Sequence, residues 1–241
     1  MNPISTQFFA GVAPQWIAAG CFVLTIALYF AMKRVYASAK KPWLTPFIVV
    51  PVLLIGLLVA DHIPYAVYFQ DTRWLLWLLG PATVAFAVPI YHYRDLMRRH
   101  WISLTVGVTV GIVAAVGGSL LLAKLLQLSP DLQRSLLTRS ISTPFALAVS
   151  DKINAPKELT ALFVIATGMC GMLLGELVLA FVPAKTRLAR GALYGASCHA
   201  VGIAKARELG GEEGVVASLT MMMTGIVMVL VAPLLPMILP I

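Results

Sequence analysis

Residues 101–123 read WISLTVGVTVGIVAAVGGSLLLA, a run of 23 residues without a charge. Crossing the roughly 30 Å hydrocarbon core of a bilayer takes about 20 mainly apolar residues in a helix, so the run reads as a membrane span. Outward from it, five more stretches have the same character: Ala13 to Met32, Thr45 to Ala60, Trp74 to Tyr93, Leu159 to Val182 and Val215 to Leu239. The second of these is short and carries Pro51, with His62 to Phe69 available to extend it. Composition agrees: of 241 residues 60% are hydrophobic and 12% charged, against about 25% charged in soluble domains. Soluble enzyme cores, secreted disulfide scaffolds and disordered tails are thereby excluded. The expected fold is an all-α integral membrane protein, a single polytopic domain over residues 1–241.

Charge sets the expected orientation. The net charge of +8 lies in short loops between apolar runs, which is how orientation signals and not nucleic-acid sites are distributed, so no nucleic-acid partner is expected. Lys33, Arg34, Lys40 and Lys41 follow the first span, Arg94, Arg98 and Arg99 the third, and Lys185, Arg187 and Arg190 the fifth. Placing all three loops in the cytoplasm requires Leu136 to Ser150 to enter the membrane and return, with both termini outside. That segment and Gly191 to Ala204 are helix-like but interrupted by polar residues and too short to cross alone. The expectation is therefore six spanning helices plus two broken or re-entrant segments. Backbone that leaves helical geometry at membrane depth persists only in protein or beside a wet cavity, so these two segments are where a substrate site belongs. The N-terminus lacks a basic region and cleavage site, so no removable signal peptide is expected. Cys21, Cys170 and Cys198 have no CxxC spacing and read as small buried residues, with neither a disulfide nor a metal site expected.

An internal repeat points the same way. Gly80-Pro81-Ala82-Thr83-Val84-Ala85-Phe86-Ala87-Val88 resembles Ile141-Ser142-Thr143-Pro144-Phe145-Ala146-Leu147-Ala148-Val149 at an offset of 61 residues. The charge rule sends the helices after these two stretches in opposite directions, the signature of an inverted repeat with halves at 13–123 and 136–239.

Chemistry concentrates in the same places. Arg139-Ser140-Ile141-Ser142-Thr143-Pro144 combines hydroxyls, a proline and a cation ahead of an apolar run. Proline disrupts helical bonding, so amides and hydroxyls around Thr143 are free to face a carboxylate; the alternative is a proline kink with Ser and Thr bonded back to the helix. Pro81-Ala82-Thr83 carries the same break. Arg139 reads either as an anion clamp or as a topology signal. In Gly191 to Lys205 small residues surround His199, the one histidine away from loops and span ends, which suits substrate binding, proton coupling or a plain structural bond to a neighbouring helix. Ser197 lies two residues before it. Glu176, inside the fifth span, is a second proton-coupling candidate unless it pairs with Lys185 or Arg187 near the interface. No GxSxG, HExxH, P-loop or dinucleotide fingerprint is present, so neither an enzyme nor a cofactor is expected.

Leu79 to Tyr91, Arg139 to Val149 and Gly195 to Lys205, in that order, resemble three signature stretches of the LrgB/CidB family. That family comprises bacterial inner-membrane proteins described as antiholin-like or murein-hydrolase regulators, together with the corresponding half of the plastid glycolate/glycerate translocator. The resemblance implies a multi-pass bacterial inner-membrane protein working with a small LrgA/CidA-type partner. His199, Gly202, Pro144 and Thr143 match directly. Cys198 and Ile203 stand where the family more often has hydroxyl residues, which bears on selectivity if those hydroxyls contact substrate.

The function expected is a secondary transporter or facilitator of small carboxylates of the pyruvate, lactate, glycolate or glycerate type, acting indirectly on autolysis. Its substrate site is drawn from Pro81, Thr83, Arg139, Ser140, Ser142, Thr143, Pro144, Ser197 and His199. One alternative is a holin- or antiholin-like pore component that regulates murein hydrolases and lysis. Another is a module that only regulates its small membrane partner. The Gly and Ala faces of Trp101 to Ala123 suit a homodimer.

Overall fold

The computed structural model describes residues 14–39, 41–85, 87–181 and 184–238, without the side chains of Pro42, Thr83, Ala87, Glu176 and Ile238. All regular structure among the described residues is helical. The helices are α1 (Pro14–Ala39), α2 (Pro46–Ala60), α3 (Tyr65–Thr72), α4 (Trp74–Trp77), α5 (Leu79–Ala85), α6 (Ala87–His92), α7 (Arg94–Arg99), α8 (Trp101–Leu125), α9 (Pro130–Leu137), α10 (Thr143–Ile153), α11 (Lys157–Phe181), α12 (Arg187–Leu209), α13 (Gly211–Val231) and α14 (Leu235–Ile238).

Among the described residues four helical segments are long and apolar enough to cross a membrane: Pro14–Ala39, Trp101–Leu125, Lys157–Gly175 and Gly211–Met237. They coincide with four of the six stretches expected to span. The other two are not among them. α2 is 15 residues long and is not extended by residues 62–69, because His62 turns the chain with a left-handed φ of 53° and α3 starts afresh after Pro64. In the Trp74 to Tyr93 stretch the described residues form α4, α5 and α6, Phe86 lying outside them, and Pro81 and Pro89, each unable to donate a backbone hydrogen bond, stand within the last two.

The chain forms two units, Met1–Ala82 and Thr83–Ile241, with the boundary inside α5. In the first, α1 packs against α2 and α3, Ala18, Cys21, Val50 and Leu54 are buried, and the Thr25 and Tyr68 hydroxyls lie 3.4 Å apart. In the second, Leu137, Ile141, Ala146 and Val149 pack with Val164, Met228 and Ala232 as one core, and Tyr194, Cys198, Ala206 and Ala217 form another. Val106, Val110, Val113, Leu121 and Leu125 of α8 remain exposed, an apolar face of the kind hydrocarbon covers.

Candidate functional site

α12 is drawn as one helix but folds back on itself at His199, whose φ of 53° and ψ of −139° lie where glycine is at home and other residues are strained. Glycines make the fold-back possible. A Cβ on Gly202 would overlap the carbonyl of Tyr194, eight residues earlier, whereas in a straight helix the two would lie about 12 Å apart. The arm 187–198 runs alongside the start of α13, with Gly191 against Glu213 and Val216 and Gly195 against the Ala217 backbone. It runs antiparallel to α11, since Gly171 meets Cys198 and Gly175 meets Tyr194. The arm 200–209 returns to the same end, where Gly214 lies against Arg207. Two ion pairs fasten that end: Arg187 with Glu212 at 3.2 Å and Arg190 with the buried Glu213 at 3.6 Å. An arm of about a dozen residues reaches about 18 Å, so His199 sits roughly half the depth of a bilayer core away from those charges.

The second break comes after α9. Residues 138–142 leave helical geometry, and α10 starts at Thr143 with Pro144 in its first turn, where a missing N–H costs nothing. The Phe145 ring packs against Gly225 in mid-α13, while Ile153 and Ala155 join the core at Ala232 and Leu235. α10 therefore points to the end of α13 opposite the α12 ion pairs. Asn154, with a left-handed φ of 52° and ψ of 43°, closes it.

Hydroxyls along the chain divide into two groups. Those of Thr72, Ser135, Ser150, Ser197, Ser218 and Thr224 bond back to carbonyls three or four residues earlier at 2.6–2.9 Å, the ordinary arrangement in membrane helices. Those of Ser140, Ser142 and Thr143 have no such bond among the described residues, and neither do the buried hydroxyls of Thr45, Thr160 and Thr220. Beside the first three the half-buried Arg139 donates through Nε to Ser119 Oγ of α8 at 2.9 Å, and its terminal nitrogens have no partner among the described residues. The Arg139 guanidinium and the hydroxyls of Ser140, Ser142 and Thr143, consecutive along the break, are each able to donate to an anion.

The two breaks meet through one bond: His199 Nε2 lies 2.8 Å from the Arg139 carbonyl oxygen. A carbonyl only accepts, so the ring proton is on Nε2 and donates to it. Nδ1 of this ring, 4% exposed, is buried without a partner; such an acceptor costs about 1–3 kcal/mol until something donates to it. Nearby, Gly111, Ala115, Ser140, Ala196, Thr224 and Met228 line a cavity of about 10 Å³, space for one water and far too small for an organic anion.

Of the residues expected at the site, Arg139, Ser140, Ser142, Thr143, Pro144 and His199 are gathered here. Ser197 is next to His199 in sequence, with its hydroxyl engaged by the Leu193 carbonyl. Pro81 is exposed in α5 of the first unit, and the side chains of Thr83 and Glu176 lie outside the described residues. Arg187, considered as a partner of Glu176, pairs with Glu212. Ser119 was not expected; a lone serine in an apolar span carries no signal until its partner is known. Cys170 is exposed, not buried. The two departures from the family pattern turn to packing faces: Cys198 fills the space above Gly171, and Ile203 packs on the Tyr194 and Ala217 core.

The LrgB-like family model matches residues 25–238. Among curated proteins, YwbG of Bacillus subtilis (strain 168), itself uncharacterised, is 36% identical over 88% of this chain and 94% of its own length. YxaC of the same organism, also uncharacterised, is 32% identical over 80% of this chain and 84% of its own length. No solved structure matches.

Proposed function

This chain belongs to the LrgB-like family of membrane proteins, and from that membership we propose that it is a multi-pass carrier of small carboxylate anions, a secondary transporter or facilitator, in the bacterial inner membrane. The observation that carries the reading is the set of donors at the break after α9, joined to the α12 break through the bond of His199 to the Arg139 carbonyl. Arg139 and the hydroxyls of Ser140, Ser142 and Thr143 take the carboxylate, and His199 closes the site from the opposite segment. A monocarboxylate is matched by one guanidinium in charge and in fork geometry.

In this reading both broken segments are re-entrant hairpins. α12 enters from the cytoplasmic side, where Arg187, Arg190 and Arg207 gather, and α9 with α10 enters from the other side after α9 turns back along α8. Two spans flanking a hairpin then occur twice in opposite senses, as α8, α9–α10, α11 and as α11, α12, α13, the arrangement that alternating access uses. This recurrence pairs other elements than the stretch at Gly80 to Val88, which shares with Ile141 to Val149 a proline in the first turn of a helix. The closed contact between Arg139 and His199 would part on opening. A small LrgA/CidA-type protein or a second copy of this chain would cover the apolar face of α8. Effects on murein hydrolysis and lysis would follow from altered anion flux.

The test is uptake of labelled pyruvate, lactate and glycolate into proteoliposomes that also hold a trapped uncharged dye, with and without the small partner. Saturable uptake with the dye retained is the expected result. Dye release without saturation would establish the holin-like pore instead. The proton-coupling role expected for His199 or Glu176 is separable, since a facilitator needs none; an imposed pH gradient on the same vesicles reads it.

A further inference from the structure

We propose that a second cavity, between α7, α8 and α13, is a site for an anionic phospholipid, with part of an acyl chain inside it and the phosphate on Arg98 and Arg99. Met97 and Arg98 of α7, Trp101 and Leu104 of α8 and Met223 of α13 line a space of about 230 Å³, open along one side. Leu104 is buried and Met97 and Met223 are half-buried, whereas Arg98 and Trp101 are exposed. Apart from Arg98 the wall is apolar, so hydrocarbon suits it better than water does. Enclosing a compact organic ligand takes roughly 300 Å³ or more. What enters is therefore one part of a longer molecule.

Its neighbours set the level of the cavity. Tyr91, Tyr93 and Trp101 are exposed on either side of α7, and tyrosine and tryptophan gather at the headgroup layer of a bilayer. Leu104, one turn into the α8 span, lies on the hydrocarbon side of that layer. Arg98 stands where the two meet, and a long basic side chain lays its stem along apolar surface while its charge stays wet. Charge then selects the lipid. α7 reads Arg94-Asp95-Leu96-Met97-Arg98-Arg99, three cations to one carboxylate. Arg94 lies over the Tyr91 ring at 4.8 Å, and Arg98 and Arg99 have no acidic partner among the described residues. Two unpaired guanidinium groups beside an apolar cavity match a phosphate headgroup that carries no cation of its own, whereas the ammonium of a zwitterionic lipid offsets the attraction.

The test titrates the delipidated full chain in detergent with dioleoyl phosphatidylglycerol and, separately, with dioleoyl phosphatidylcholine, reading bound lipid by native mass spectrometry together with the melting temperature. Phosphatidylglycerol is expected to bind about tenfold or more tightly and to raise the melting temperature further. Arg98→Gln with Arg99→Gln should weaken its binding about thirtyfold, at about fivefold per arginine. Met223→Trp, which fills the cavity, should lose the same lipid with both arginines in place. Lys33→Gln with Arg34→Gln, an equal loss of charge on α1, should change nothing. Equal binding of the two lipids overturns the proposal. So does a loss in the α1 variant as large as that in the α7 variant, which would make the effect one of net charge. Stabilisation by glycerol 3-phosphate equal to that by the lipid would assign the arginines to a free phosphate and leave the cavity out. A dimer that Met223→Trp dissociates, with no lipid retained, would give the cavity to a second copy of this chain instead.

Discussion

Thr143 and Ser197 look alike in the sequence, each a small hydroxyl residue beside a helix break, and the structure separates them. The Ser197 hydroxyl donates to the Leu193 carbonyl at 2.6 Å, whereas that of Thr143 has no partner. Ser197→Ala should therefore leave uptake within about twofold of wild type, since a helix loses little with a back-bonded hydroxyl. Thr143→Val, which keeps the shape and removes the oxygen, should lower kcat/KM for uptake about tenfold, the worth of one hydrogen bond to an anion. Wild-type uptake in Thr143→Val would remove that residue from the site. Sequence could not rank the two, because which hydroxyl bonds back depends on local φ and ψ. Arg139 was equally open between clamp and topology signal. The structure sets its backbone carbonyl against the His199 ring and its Nε against Ser119.

At the scale of elements, glycine density marked α12 as unusual, and its placement explains why. Gly195 and Gly202 lie where a Cβ would strike backbone, whereas Gly107 of α8 has nothing within 4 Å. Gly195→Ala should destabilise the second unit by about 1–3 kcal/mol through overpacking, lowering the melting temperature in detergent by several degrees. Gly107→Ala should leave it unchanged or slightly raised, since alanine favours helix by about 0.5–1 kcal/mol. Equal melting of both variants would mean that the close approach of α12 to α13 at Gly195 is not the resting state. The break itself was legible within Gly191 to Ala204. Its position and its reversal of direction were not, because small residues permit close approach without saying which segments approach. For the stretch from Trp74 to Tyr93 the expectation of a span rested on hydropathy, and the described residues there form α4, α5 and α6 with Pro81 and Pro89 inside the last two.

For the whole molecule, membrane character was legible from composition because it is a sum over many residues, and four spans come from it directly. Orientation depends on a few loop charges and calls for a direct measurement. In a chain freed of its own cysteines, single cysteines at Arg187 and Glu208 should react with an impermeant maleimide from one side of sealed vesicles, and one at Asn154 from the other. Labelling of positions 187 and 208 from opposite sides would turn α12 into a crossing helix and remove the paired hairpins.

Among the described residues His62, Gln127, Asn154 and His199 are the non-glycine positions with positive φ, and His199 alone combines it with burial in a helix break. Alanine ordinarily outperforms glycine in a helix, and here the ranking should invert. His199→Gly relieves a conformation that costs about 1–3 kcal/mol and should melt at a higher temperature than His199→Ala, with neither variant transporting. The position therefore sets durability against purpose: a sequence optimised only for thermal robustness would drift to glycine there and produce a sturdy protein that carries nothing.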